Sequence, residues 1–161
     1  MGPHGERAEA GLEELESLLG LLFDYLSPVV AAPRPTEALA VGESLAGQMR
    51  ALGARIVVGP VPAGKVAADP RLLTRSFQLL GEAVAVQGDA APEWRLEVLA
   101  DAPGGMVEYA LRTDGPYPPA RGRHALAIAV AARLIHLQGG ALRQRSADGC
   151  PYSVLLARQG D

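Results

Sequence analysis

The run Trp94-Arg-Leu-Glu-Val-Leu-Ala100 alternates apolar with polar residues, and Gly104-Gly105 turns it back into a second run, 106–112. Period-two alternation sends successive side chains to opposite faces, so this hairpin presents an apolar face that other elements must cover. The rest of the 161-residue chain provides that cover. Residues 70–86 read as a helix, with Pro70 in its first turn and Leu73, Phe77, Leu80 and Val84 on one side. A second helix spans 36–52, with Thr36 as N-cap, Leu39, Leu45, Met49 and Leu52 inward, and Gly53 as its stop. A third covers 123–138 and ends at Gly139-Gly140. Short strands follow at 55–58, at 65–68 pairing nearby, and at 141–146 and 152–158 around a turn at Asp148-Gly149. Residues 87–92 and the proline- and glycine-rich 115–122 are loops. The sum is α+β: a two-layer sandwich of a mixed, mostly antiparallel sheet on three helices, plus an N-terminal helix.

That N-terminal helix is expected over 6–30. Leu12, Leu15, Leu19, Leu22, Leu26 and Val29 alternate three and four apart, the spacing of a packing seam, and Leu18 and Tyr25 widen it. Such a stripe fits a homodimer seam or docking on the chain's own domain, because its spacing does not identify the partner. Glu13, Glu14 and Glu16 keep another face in water. Ala31-Ala-Pro-Arg-Pro35 reads as a stiff, extended linker, which divides the chain into 1–32 and 33–161.

Composition narrows the function classes. A net charge of −3 gives no clustered basic surface for nucleic acid. The apolar run Leu18-Leu-Gly-Leu-Leu-Phe23 breaks at Asp24, far short of the ~20 residues a membrane span needs, so no membrane insertion is expected. The N-terminus has no basic stretch followed by an apolar one, so no signal peptide is read. Cys150 is alone, which excludes an intramolecular disulfide and makes a reducing cytoplasm the default compartment. Phosphate-binding loops of the Walker type, paired-cysteine zinc spacing and serine-nucleophile motifs are absent from the sequence.

Several segments in order resemble the Bergerat-type (GHKL) ATPase domain of bacterial sensor histidine kinases. Glu14-Leu-Glu-Ser-Leu-Leu-Gly-Leu-Leu-Phe-Asp-Tyr-Leu-Ser-Pro28 is similar to the second helix of the dimerisation hairpin. Ala68-Asp-Pro-Arg-Leu-Leu73 resembles the start of the Mg²⁺-binding helix, and Asp114-Gly115-Pro116 part of the adenine-binding loop. Leu126-Ala-Ile128 followed by Gly139-Gly140 resembles the glycine-rich helix and the turn beyond it. The resemblance implies two-component signalling, a homodimer, and a response regulator or histidine kinase as partner.

The same resemblance exposes departures. The chain contains no asparagine, the residue that holds Mg²⁺ on the family's metal helix. The corresponding places here are Leu79 and Ala83, with Glu82 close by, and an aliphatic carbon cannot replace a hard oxygen ligand. The adenine-reading aspartate falls at Thr113, Asp114 stands one place late beside Gly115, and Tyr117 replaces a second glycine. The phosphate-loop glycines become Arg123 and Ala125, and the lid shrinks to 117–122. These positions together imply a degenerate nucleotide pocket, no cofactor, no metal, no catalytic residue, and action by protein contact.

Two alternatives stand beside that expectation. Glu82 could replace the missing asparagine in a divergent kinase that still binds ATP. A histidine phosphotransferase on the same scaffold would need His4, His124 or His136, and none of these falls in the stripe at 12–29. His4 reads as part of a frayed tail. Asp69-Pro70 reads as a helix start, Arg121 and Arg123 as solvated loop charges, and Cys150 as incidental in a turn.

Overall fold

The structure is a computed structural model that describes residues 3–85, 93–114, 117, 120–144 and 149–160. Among them the helices are α1 (Pro3–Leu26), α2 (Ala38–Ala51), α3 (Pro70–Ala85) and α4 (Arg123–Leu137). The strands are β1 (Arg34–Glu37), β2 (Arg55–Val58), β3 (Lys65–Ala68), β4 (Glu93–Ala102), β5 (Met106–Thr113), β6 (Ala141–Gln144) and β7 (Tyr152–Gln159). The expected loop at 87–92, the turn residue Asp148, and Gly115 and Pro116 lie outside the described residues.

The strands form one sheet in the order β1-β3-β7-β5-β4-β2. β2 runs parallel to β4, and the remaining pairs are antiparallel. β7 sits at the centre. One edge bonds β5 along residues 152–157, while the other bonds β6 through 152–155 and β3 through 158–159. The β4–β5 hairpin pairs Trp94 with Thr113 and turns at Gly104 and Gly105, whose φ values of 82° and 69° favour glycine.

The apolar face of this sheet carries Trp94, Leu96 and Val98 from β4, Tyr109 and Leu111 from β5, and Val154 and Leu156 from β7. Leu45 and Met49 of α2 and Phe77, Leu80 and Val84 of α3 close over them. The Tyr109 hydroxyl donates to the Ala38 carbonyl oxygen at 2.9 Å, which pins the start of α2 to the sheet. A second cluster joins α1, α3 and α4 through Leu21, Leu72, Leu79, Ala127, Val130, Ala131 and Leu134.

Three boundaries differ from expectation. The first concerns the segment expected as linker and helix start, which is an edge strand: β1 pairs with β3 from Arg34↔Ala68 to Glu37↔Lys65. Pro35 is tolerated there because an edge strand does not need every amide. Thr36 is therefore inside β1, its hydroxyl donating to the Arg34 carbonyl oxygen at 3.1 Å, and Glu37 precedes α2 in the N-cap position. Next, β2 and β3 do not pair with each other; β2 lies on β4 at one edge and β3 on β7. Lastly, α1 ends at Leu26, before Pro28, so Val29 is not on the helix and instead packs against the second cluster.

Candidate functional site

Asp69 starts α3. Its Oδ1 accepts the amides of Arg71 at 3.0 Å and Leu72 at 3.4 Å, satisfying donors that the first turn cannot bond internally. Its Oδ2 accepts the Ala32 amide at 2.8 Å, which holds the segment after α1 against the domain. Its own amide donates to Gln138 Oε1 at 2.9 Å, and the Gln138 Nε2 donates back to the Leu134 carbonyl. One buried residue thus ties three segments together: its carboxylate holds the exit of α1 and the start of α3, and its backbone amide holds the end of α4. Burial works against its charge, but the amides of Ala32, Leu72 and Arg71 and the Arg71 guanidinium outweigh it. The carboxyl is held below its ordinary value of 3.8.

Beyond that junction, α1, α3 and α4 enclose a cleft of about 400 Å³. Ser17, Gly20 and Leu21 line it from α1, Arg75, Leu79 and Glu82 from α3, and Arg123, His124 and Ala127 from α4. The spacing 75, 79, 82 places those three side chains on one face of α3. Leu79 is buried and Glu82 is exposed at the rim. Arg123 faces Glu14 of α1, 3.9 Å apart, across the mouth of the cleft. Of the positions singled out in the sequence, the fold brings Leu79, Glu82 and Arg123 to this one cleft. Ala83 is fully buried in the main core, and Ala125 is exposed on the first turn of α4.

The positions aligned with the adenine loop lie at the end of the sheet. Thr113 is buried, its hydroxyl donating to the Glu93 carbonyl oxygen at 3.0 Å and its amide to the Gly149 carbonyl at 2.9 Å. Asp114 is 98% exposed and faces Arg95 at 3.7 Å. Tyr117 packs edge-on against Trp94 and Tyr152, with centroids 5.3 Å and 5.9 Å away. Burial, and then the neighbouring Tyr152, push its phenol well above the ordinary tyrosine range. Gly115 is outside the described residues.

The leucine stripe of α1 does not dock on its own domain. Leu12, Leu15, Leu19, Leu22 and Leu26 are all exposed, and Phe23 beside them is 72% exposed. The docked face is a different one, carrying Glu14, Ser17, Leu21 and Tyr25. Leu21 is the α1 residue of the second cluster, and Arg133 of α4 lies over the Tyr25 ring and donates to the Ser27 carbonyl oxygen at 3.1 Å. Leu21 lies outside the longer stripe and was not singled out by its sequence pattern. The steps from Leu18 to Leu21 to Tyr25, three and four apart, were the available signal for a second face.

No family profile matches the sequence, and no curated protein does. Solved structures do match in fold. The chain is similar to the mycobacterial sensor histidine kinase MprB, with a TM-score of 0.58 and 18% identity, over 81% of this chain and 100% of that one. It is similar to the Acinetobacter baumannii histidine kinase AdeS, with a TM-score of 0.59 and 14% identity, over 96% and 80%. The ATP binding domain of PrrB from Mycobacterium tuberculosis gives a TM-score of 0.55 and 15% identity, over 80% and 98%. The architecture is that of the Bergerat-type ATP-binding domain of histidine kinases. No helix among the described residues is long and apolar enough to cross a membrane.

Proposed function

We propose that this chain is a cytoplasmic module of a two-component signalling pathway whose nucleotide pocket is degenerate, and that it acts by protein contact without ATP turnover. The observation that carries this reading is the chemistry of the cleft between α1, α3 and α4. Leu79 puts carbon on its wall and Glu82 is the only carboxylate among its lining residues, while Ala83 is buried in the main core. Mg²⁺ takes near-octahedral oxygen ligation, and a nucleotide's phosphates are commonly cradled by glycine-flanked amides. Arg123 and Ala125 stand where such glycines would be, so the residues present do not fit Mg²⁺-ATP.

The working surface in this reading is the exposed stripe Leu12, Leu15, Leu19, Leu22 and Leu26 on α1. Its domain-facing side is already satisfied, which leaves the stripe for another chain: a second copy in a homodimer, or a response regulator or kinase of the pathway. Calorimetric titration of Mg²⁺-ATP into the purified chain tests the proposal. The expected result is no saturable heat, and micromolar binding overturns it.

One observation favours a second reading. Glu82 and Arg123 line the same cleft, where a carboxylate could hold a metal and a guanidinium a phosphate. If the chain is a divergent kinase, Glu82→Ala lowers a measurable ATP affinity and purified protein autophosphorylates. An unchanged affinity in that variant removes the second reading.

A further inference from the structure

We propose that Arg50 is an edge guard: its guanidinium closes the open side of β2 against pairing with β2 of a second copy of this chain. The device is separate from the exposed stripe of α1, and the two are tested apart.

Among the described strands β2 is an outer one, hydrogen-bonded on one side only, to β4. The phase of that ladder decides which of its backbone groups stay open. Val58 is registered against Leu96, and the Gly59 amide donates to the Leu96 carbonyl oxygen at 2.9 Å. In a parallel ladder a residue bonds the two neighbours of its opposite number. Leu96 therefore takes Val57 and Gly59, and Trp94 takes Arg55 and Val57. The amides and carbonyls of Ile56 and Val58 point away from β4. Among the described residues, Arg50 meets that side: its Nη2 donates to the Ile56 carbonyl oxygen at 3.0 Å. Arg50 reaches it from the last turn of α2, a place that also suits a cation.

The side that Arg50 closes is self-complementary. Arg55-Ile-Val-Val58 has three β-branched residues in a row, and Val57 is 69% exposed. Antiparallel pairing with a second copy, two-fold through Val57, sets Ile56 opposite Val58 of the other chain. Both residues with outward groups then fall in hydrogen-bonded positions. Val57 meets its own copy in the non-bonded position, where side chains come closest. In that pairing the Ile56 oxygen accepts from the other chain, and it is the oxygen that Arg50 already holds. The two-fold also brings the two Arg50 guanidiniums to roughly 10 Å from each other, within reach of their repulsion at moderate salt. An open strand edge is a template for another chain, and a charged side chain laid over it is one way to blunt it.

The parent for the test is the full chain carrying Leu15→Gln and Leu22→Gln, which removes the leucine stripe as a source of association. In that parent, Arg50→Ala should self-associate at least about tenfold more tightly in sedimentation over a concentration series. The Val58 amide should become protected from exchange in the associated form. Arg50→Lys, which keeps a charged donor on a long stem, should behave like the parent. Adding Val57→Lys to Arg50→Ala should restore the parent's state, because it sets like charges face to face on the two-fold. Should Arg50→Ala not fold, Arg50→Met keeps an unbranched stem without a donor and carries the same expectation. A lower thermal midpoint with unchanged association would reduce Arg50 to a stabilising contact and overturn the proposal. So would association that Val57→Lys leaves intact, or that Arg50→Lys shows equally.

Discussion

The backbone amide of Asp69 donates to the side-chain oxygen of Gln138, joining the first residue before α3 to the residue that closes α4. Because the Asp69 carboxylate also caps α3 and holds the Ala32 amide, one residue sets the relative position of three segments. Asp69→Ala should cost about 1–2 kcal/mol from the lost cap, read as a lower denaturant midpoint. The additional loss of the Ala32 bond should appear as faster amide exchange at Ala32.

The same carboxylate gives a pH dependence of known sign. Its folded pKa lies below the ordinary 3.8, so its contribution is present above that value and fades as pH falls through the folded one. Wild-type thermal stability should drop more steeply below about pH 4 than that of Asp69→Asn. Equal slopes for the two proteins would show that Asp69 carries no linkage.

Leu21 and the exposed leucines of α1 should respond to mutation in opposite ways. Leu21→Ala removes the α1 anchor from the second cluster and should destabilise the folded chain by about 2 kcal/mol or more. Replacing Leu15 and Leu22 by glutamine removes no intramolecular contact of the core. Its thermal midpoint at low concentration should stay near that of the wild type, while sedimentation should show loss of any self-association.

Gly140 makes a close approach that no side chain can share. A Cβ there would meet the Leu155 carbonyl oxygen, with Ile135 at 2.9 Å and Leu156 at 3.0 Å. Gly140→Ala should cost about 1–3 kcal/mol in chemical denaturation. Gly139, at φ 87°, ends α4 in the left-handed region, and its alanine variant should cost about 1 kcal/mol by backbone strain alone.

Tyr109→Phe should lower stability by about 1 kcal/mol, because the Ala38 carbonyl loses its buried hydroxyl donor. The Arg123→Ala variant should change little, since its pairing with Glu14 is half-exposed and long.

The α+β class, the hairpin of β4 and β5 and the extents of α3 and α4 were legible in the sequence because period and glycine punctuation agree there. β1 was not, because Arg34-Pro-Thr-Glu37 carries no alternation and a proline. Its strand character comes from the partner β3, a tertiary effect that no local pattern encodes. The meeting of Leu79, Glu82 and Arg123 in one cleft follows from the resemblance between segments. The role of Tyr117 does not. Its sequence signal was a bulky residue at a place expected to hold glycine, and its meaning depends on Trp94 and Tyr152 arriving from distant strands.

The central strand of the sheet is also its last in chain order. Among the described strands, β1 and β3 have no bond to the β5-β4-β2 group, and β6 has no partner, until β7 has left the ribosome. Nascent chains stopped before residue 152 therefore carry open edges on both sides of a missing strand, with the apolar faces of α3 and α4 lacking their full cover. Closure is a late, long-range event, and the interval before it is when this chain is most exposed to chaperones, proteases and self-association.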